Sequence, residues 1–208
     1  MENYITVIII GYLLGCLQWS YILGKTFKKV DIRTLGNYNA GASNTVISLG
    51  WKWGVLVAIL DIGKAIISII LIKYLLKNLL LISNSDPYLY LNGFSVILGH
   101  NYPFYMRFKG GKGTASLIGM LAAIDIKMAL IGIFTIITIT LITDYIALGT
   151  ISLVIMFVGT TIFFKFSTGS IYIAILIALL SIYNHIPNII RIIEKKETGL
   201  RKTMNKRL

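Results

Sequence analysis

From Tyr4 to Gly24 the chain runs without one charged side chain, and comparable apolar runs recur to its end. That stretch is about the 20 residues a helix needs to cross a bilayer. In hydrocarbon every backbone N–H and C=O must find a partner within the protein, which leaves helices or a closed barrel as spanning structures. Apolar runs of this length select the helix. A mean hydropathy of +0.80, with 56% hydrophobic residues in 208, exceeds what a soluble core of this size buries. The chain reads as an all-α integral membrane protein, with one membrane-embedded domain over residues 1–208. It shows no internal repeat and no low-complexity tract.

The apolar runs predict about seven transmembrane helices. The first covers about Tyr4 to Gly24 and the second about Trp51 to Ile82. Ser83-Asn84-Ser85-Asp86-Pro87 reads as a turn, and a third helix follows from about Tyr88 to Tyr102. Thr114 to Ile124 is short for a span, as a sheltered or re-entrant helix would be, and breaks at Asp125-Ile126-Lys127. The last three cover Met128 to Thr143, Tyr145 to Phe164, and Gly169 to about Tyr183, the last continuing into a basic amphipathic tail.

The net charge of +12 would point to nucleic acid on a soluble protein. Here the charges flank apolar runs, so they report membrane orientation and anionic lipid, and no nucleic-acid partner is expected. Of 20 Lys and Arg residues, 15 fall on one side of a seven-helix arrangement. They are Lys25, Lys28, Lys29, Arg33 and Lys52; Arg107, Lys109 and Lys112; and Arg191, Lys195, Lys196, Arg201, Lys202, Lys206 and Arg207. Lys73, Lys77, Lys127 and Lys165 fall on the other, and Lys64 lies within the second helix. By the positive-inside rule the N-terminus is outside and the C-terminus cytoplasmic in a plasma membrane, with the polar segments facing the cytoplasm.

Cys16 is the single cysteine, which excludes an intrachain disulfide. Leu13-Leu14-Gly15-Cys16 has the form of a lipoprotein processing site. Yet Met1-Glu2-Asn3 carries no basic n-region and the apolar run continues to Gly24, so Cys16 reads as a helix residue. Asp61 and Lys64, three apart on one helix face, are expected to neutralise each other or to face a polar cavity. The aromatics Trp51, Trp53, Tyr102 and Tyr105 sit where interfacial belts form.

Three polar segments share the basic side: Asp31 to Gly50, Gly99 to Thr114, and Asn184 to Arg201. Together they fit one site for a polar head whose apolar tail lies among the helices; the plainer alternative is three unrelated loops. In the second segment, Gly110-Gly111-Lys112-Gly113 can turn backbone N–H groups around an anion, because glycine tolerates positive φ and has no Cβ. Lys112 adds a positive charge, and the helix beginning at Thr114 adds its N-terminal dipole. The motif is not a nucleotide P-loop, whose spacing it lacks. The only histidines, His100 and His185, have no metal-ligand spacing around them, and no metal or cofactor is expected. A His–Asp dyad with four intervening residues is absent, since Tyr105 and Ile190 stand there, and there is no Gly-x-Ser-x-Gly turn. Chemistry at this site would rest on positioning and charge stabilisation.

At these residues the sequence resembles the bacterial acyl-phosphate:glycerol-3-phosphate acyltransferases of the PlsY type. The likeness spans nearly the whole chain. It covers Gly11-Tyr12-Leu13-Leu14-Gly15, Ser20 to Lys25, Asp31-Ile32-Arg33, Gly36, Asn39 and Gly41-Ala42-Ser43-Asn44. It continues through Asp61, Lys64, Gly99-His100-Asn101-Tyr102-Pro103 through Gly113, then His185, Asn188-Ile189, Arg191 and Glu197. The resemblance implies seven helices with three cytoplasmic motifs. It implies acyl transfer from acyl-phosphate to the 1-hydroxyl of sn-glycerol 3-phosphate, yielding lysophosphatidate and inorganic phosphate. On it, Gly110, Gly111, Lys112 and Gly113 take the acyl-phosphate head, and Arg33, Asn39, Gly41, Ser43 and Asn44 line the site. His100, Asn101, His185, Asn188, Arg191 and Glu197 orient the acceptor or its hydroxyl.

The chain departs from the family pattern at several points. Gly-Ser-Gly-Asn becomes Gly36-Asn37-Tyr38-Asn39. Arginines are replaced by Ile47, Asn184 and Ile186, a glycine by Lys195 and a serine by Ala147. Lost arginines remove bidentate phosphate forks, for which Arg33, Lys112, Arg191, Lys195 or Lys196 would have to compensate. Two other functions stay open on these grounds. One is a diverged paralogue with another acceptor or a non-catalytic lipid-binding role; the other is an anion transporter, although inverted repeats and paired broken helices are not evident.

Overall fold

The structure, a computed structural model, describes residues 2–78 and 86–205. Among the described residues every regular element is helical. The helices are α1 (Glu2–Gly15), α2 (Trp19–Phe27), α3 (Ala42–Leu49), α4 (Trp51–Asn78), α5 (Asp86–Asn101), α6 (Thr114–Ile124), α7 (Ile126–Thr143), α8 (Ile146–Phe163), α9 (Thr168–Ile193) and α10 (Leu200–Asn205). Among the described residues five segments are long and apolar enough to cross a membrane: Tyr4–Phe27, Trp51–Asn78, Ile126–Thr143, Ile146–Phe163 and Thr168–Ile193. α5 and α6 are shorter, with 16 and 11 residues. The predicted turn at Ser83–Ser85 and the end of the second predicted helix, Leu79–Ile82, lie outside the described residues. Asp86 and Pro87 open α5.

The chain divides into two compact units, Met1–Ile124 and Asp125–Leu208. In the first, α1 packs on α5, and α4 packs on α6 and α3. Buried amides join these helices: Asn92 donates to the Val7 carbonyl (3.0 Å) and accepts from the Ser68 hydroxyl (2.7 Å). Such bonds do in lipid what apolar contact alone cannot, because lipid tails are as apolar as the helix faces.

The first apolar run is not one helix. It breaks at Cys16-Leu17-Gln18, between α1 and α2. Gly15 lies so close to the Val96 backbone that a Cβ would collide with it. Irregular backbone at this depth requires partners from the protein, and all three freed carbonyls have one. Lys64 Nζ donates to the Gly15 and Leu17 carbonyls (3.0 and 2.7 Å), and the Tyr105 hydroxyl donates to the Cys16 carbonyl (2.9 Å). The Gln18 side-chain amide donates to the His100 carbonyl. Cys16 is a free, buried thiol in the break rather than a residue within the helix.

In the second unit α8 packs against both α7 and α9. Threonines at 135, 143, 150, 160 and 161 return their hydroxyls to carbonyls four residues back, which pairs those donors within apolar helices. Asp125 caps α7 by accepting the Lys127 N–H (2.7 Å), which accounts for the chain break read there from the sequence. The last predicted helix continues past Tyr183, through Pro187, to Ile193. His185 therefore lies inside α9.

Candidate functional site

The first two polar segments meet at one end of the N-terminal unit. Ala40 N–H donates to the Gly110 carbonyl (3.0 Å), and Arg33 Nη1 donates to the Met106 carbonyl (2.9 Å). Beneath them Ile32, Ala40 and Met106 form a buried apolar cluster, with Tyr21 and Leu49 packed around it.

Asn44 organises the first segment. Fully buried, it donates from Nδ2 to the carbonyls of Ile32 (3.0 Å), Leu35 (3.1 Å) and Asn39 (2.7 Å), and accepts the Asn37 N–H at Oδ1 (2.6 Å). Bonded in this way inside the loop, it fixes the loop's shape. Asn39 Nδ2 donates to the Asn37 carbonyl (3.1 Å), Gly41 precedes α3, and Ser43 is exposed on the first turn of α3. Arg33 forks onto Asp31, Nε to Oδ1 at 3.0 Å and Nη2 to Oδ2 at 2.8 Å, with its guanidinium 5.0 Å from the Tyr21 ring centre. This fork holds the Asp31 carboxyl below the usual carboxylate range and raises Arg33. Arg33 thus braces one segment to the other.

The glycine loop differs from the anion nest read in the sequence. Gly110 N–H donates to the Asn101 carbonyl and Gly111 N–H to the His100 carbonyl, both at 3.0 Å. Those two amides close the C-terminus of α5, whose last carbonyls would otherwise lack partners. Both positions exclude a Cβ: at Gly110 it would strike the His100 carbonyl, and at Gly111 the His100 ring and the Ala40 carbonyl. Gly113 takes φ +84 and starts α6, where Leu117 N–H returns to its carbonyl (2.8 Å). The capacity to hold an anion shifts from Gly110 and Gly111 to Lys112, which is half-buried, and to the first turn of α6. Asn101 is buried beside Gly113 with both amide atoms unpaired among the described residues.

His100 is buried under this loop with Asp61 and Lys64. Lys64 Nζ lies 2.9 Å from Asp61 Oδ1 and 2.9 Å from His100 Nδ1, and His100 Nδ1 lies 3.5 Å from Asp61 Oδ1. The pairing of Asp61 with Lys64 expected from their spacing is present, and it extends to His100 and to the broken α1. At 3% exposure His100 packs beneath the loop, against Asp61 and Lys64. Tyr105 also does more than line an interface: its hydroxyl holds the break, and burial pushes it above the usual phenol range, keeping it a donor.

The third segment lies in the C-terminal unit. Glu197 accepts from Asn188 Nδ2 at Oε1 (2.7 Å) and from Arg191 Nε at Oε2 (2.6 Å). His185 Nδ1 stands 2.8 Å from the Ser181 carbonyl; a carbonyl only accepts, so Nδ1 carries the proton and Nε2 is the basic nitrogen of the neutral ring. Among the described residues no three His, Cys, Asp or Glu side chains gather as a metal site.

Two departures from the family pattern keep the backbone they replaced. Tyr38 and Lys195, each where a glycine is usual, both adopt φ 56 in the left-handed region. Ile47 and Ile186 put apolar side chains where arginines are usual.

These features define a polytopic helical membrane protein that gathers a glycine-lysine loop and an asparagine-rich loop at one end of its N-terminal unit. Residues 5–195 match the family model described as glycerol-3-phosphate acyltransferase. The chain is 46% identical over 205 residues, 98% of each chain, to glycerol-3-phosphate acyltransferase 1 of Oceanobacillus iheyensis. It is 35% identical to the glycerol-3-phosphate acyltransferase of Thermoanaerobacter pseudethanolicus, over 92% of this chain and 93% of that one. It is similar to the crystal structure of PlsY, an integral membrane glycerol 3-phosphate acyltransferase, in its glycerol 3-phosphate form (TM-score 0.85, 31% identity, 95% of each chain). The lysophosphatidic acid form gives a TM-score of 0.82 at 29% identity, over 97% of this chain and 98% of that one. The chain belongs to the glycerol-3-phosphate acyltransferase family, of the PlsY type.

Proposed function

We propose that the chain, acting as one acyltransferase domain over residues 1–208, transfers a fatty acyl group from acyl-phosphate to sn-glycerol 3-phosphate. The observation that carries most weight is the glycine-lysine loop, bonded to the asparagine-rich loop at the Ala40–Gly110 peptide pair. Lys112 and the first turn of α6 take the phosphate of the donor, with the buried Asn101 amide beside Gly113. Asn39, Gly41 and Ser43 line the approach, Arg33, Asn44 and His100 hold it in shape, and the acyl chain runs among apolar helices. Asn188 and Arg191, held by Glu197, take the glycerol 3-phosphate, and His185 Nε2 accepts a hydrogen bond from its 1-hydroxyl. The hydroxyl oxygen attacks the acyl carbon, the bond from that carbon to the phosphate oxygen breaks, and the hydroxyl proton ends on the phosphate released. Positioning and cationic stabilisation supply the rate, with no covalent enzyme intermediate.

The same proposal counts α5 and α6 as spans, making seven crossings with the N-terminus outside and the C-terminus cytoplasmic. Two contacts support that parity: Arg33 to Met106 in one unit, and Asp144 to Arg201 in the other, each join segments assigned to the cytoplasmic side.

The test is phosphate release by the purified chain in lipid, given palmitoyl-phosphate with and without glycerol 3-phosphate. Acceptor-dependent release with lysophosphatidate formed is the expected result. A folded preparation releasing no phosphate on adding acceptor would leave a paralogue with another acceptor.

A further inference from the structure

Asp144 ends α7 with a left-handed backbone, φ 71. Its own N–H returns to the Thr140 carbonyl (2.8 Å), which closes the helix. Its remaining polar atoms face forward along the chain. The Asp144 carbonyl accepts the Leu200 N–H at 2.8 Å and Oδ1 accepts the Arg201 N–H at 2.8 Å. Gly199 sits against the carboxylate so closely that a Cβ would meet Oδ2. Arg201 Nη2 answers with a bond to the Leu141 carbonyl (3.1 Å) near the end of α7. One corner thus grips three consecutive residues. A non-glycine residue in the left-handed region is disfavoured and persists where its surroundings over-determine it.

The place of this grip in the chain gives it a consequence. α9 ends at Ile193, and Lys196 and Glu197 fold back to the Arg191 carbonyl (2.7 and 3.1 Å). Glu197 then reaches Asn188 and Arg191 with a side chain only 7% exposed. The segment is held on the α9 side by that turn and on the far side by Asp144. We propose that Asp144 is a positioning residue for the third motif: by clasping Gly199–Arg201 it keeps Glu197 in register with Asn188 and Arg191. On the assignment of glycerol 3-phosphate to those side chains made above, Asp144 sets acceptor affinity without touching the acceptor.

The experiment uses the full chain in lipid. Asp144→Ala is expected to raise KM for glycerol 3-phosphate about tenfold, with kcat within about threefold of wild type. Asp144→Asn, which keeps an oxygen for the Arg201 N–H and the backbone carbonyl, should restore most of that loss. Gly199→Ala, pushing on the carboxylate from the other side, should repeat the Asp144→Ala effect. Amide exchange of Glu197, Leu200 and Arg201 should quicken together in Asp144→Ala. Unchanged KM, or quickening at Leu200 and Arg201 but not at Glu197, overturns the proposal, as does an equal fall in kcat that Asn fails to rescue. Should wild type show no acceptor-dependent release, the acceptor assignment alone fails. The exchange pattern then decides: joint quickening supports the clasp, and any other pattern overturns it.

Discussion

Nζ of Lys64 stands 2.9 Å from Nδ1 of His100 while bonding the Gly15 and Leu17 carbonyls at 3.0 and 2.7 Å. One ammonium therefore ties the break in the first membrane segment to the helix end that carries the glycine loop. The geometry resembles the way unwound helices in transporters hold a cation on their carbonyls, with a tethered lysine taking the cation's place.

Removing Lys64 should accordingly cost more than an ion pair. In Lys64→Met the buried Asp61 loses its counter-charge, a loss worth about 3–5 kcal/mol. The double variant Asp61→Asn, Lys64→Met removes the uncompensated charge but still strips two carbonyls of their donor, at about 1–3 kcal/mol. Thermal unfolding in detergent should rank wild type first, the double variant second and Lys64→Met last. A double variant no better than the single would show that the ion pair is not what Lys64 serves.

Neighbouring positions in the glycine loop should fail differently. Lys112→Ala removes a charge-assisted contact of about 1.5–3 kcal/mol, or roughly 10- to 150-fold in kcat/KM for acyl-phosphate. Gly111→Ala drives a Cβ into the His100 ring and the Ala40 carbonyl, so it should lower the unfolding midpoint and the activity together. Equal behaviour of the two variants in both assays would contradict the division between a donor-binding lysine and a packing glycine.

Tyr38 and Lys195 are strained where they stand, at φ 56. Tyr38→Gly and Lys195→Gly should each stabilise the protein by about 1 kcal/mol. Denaturation of each variant beside wild type checks it.

The helices and the three motifs were legible because a bilayer enforces length and apolarity, and because glycine, asparagine and lysine in polar loops have few other uses. The break at Cys16–Gln18 was not, since its cause is remote: Val96 crowds Gly15, and Lys64, Tyr105 and His100 supply the partners. The bonding of Asn44 was likewise not legible, since the sequence shows an amide there but not that it holds four backbone groups of its own loop. The burial of His100 beside Asp61 had one signal, the unexplained charge pair at Asp61 and Lys64, which needed a third polar partner. Asp144 had none, because its partners lie more than fifty residues on.

Acid should act on the brace between the first two motifs through Asp31. The Arg33 fork holds its carboxyl below the ordinary range near 3.9, so the folded chain takes up this proton less readily than the unfolded one. The stabilisation is therefore complete above about pH 5 and fades as the pH falls through about 4 and below. Asp31→Asn, which faces the guanidinium with no charge, should be less stable than wild type by a constant margin from pH 7 to about 5, and the margin should shrink below about 4. Paired unfolding scans across that range measure it. A margin that does not change with pH would mean that the fork seen between Asp31 and Arg33 contributes through shape alone, and that Arg33 has its guanidinium available for phosphate.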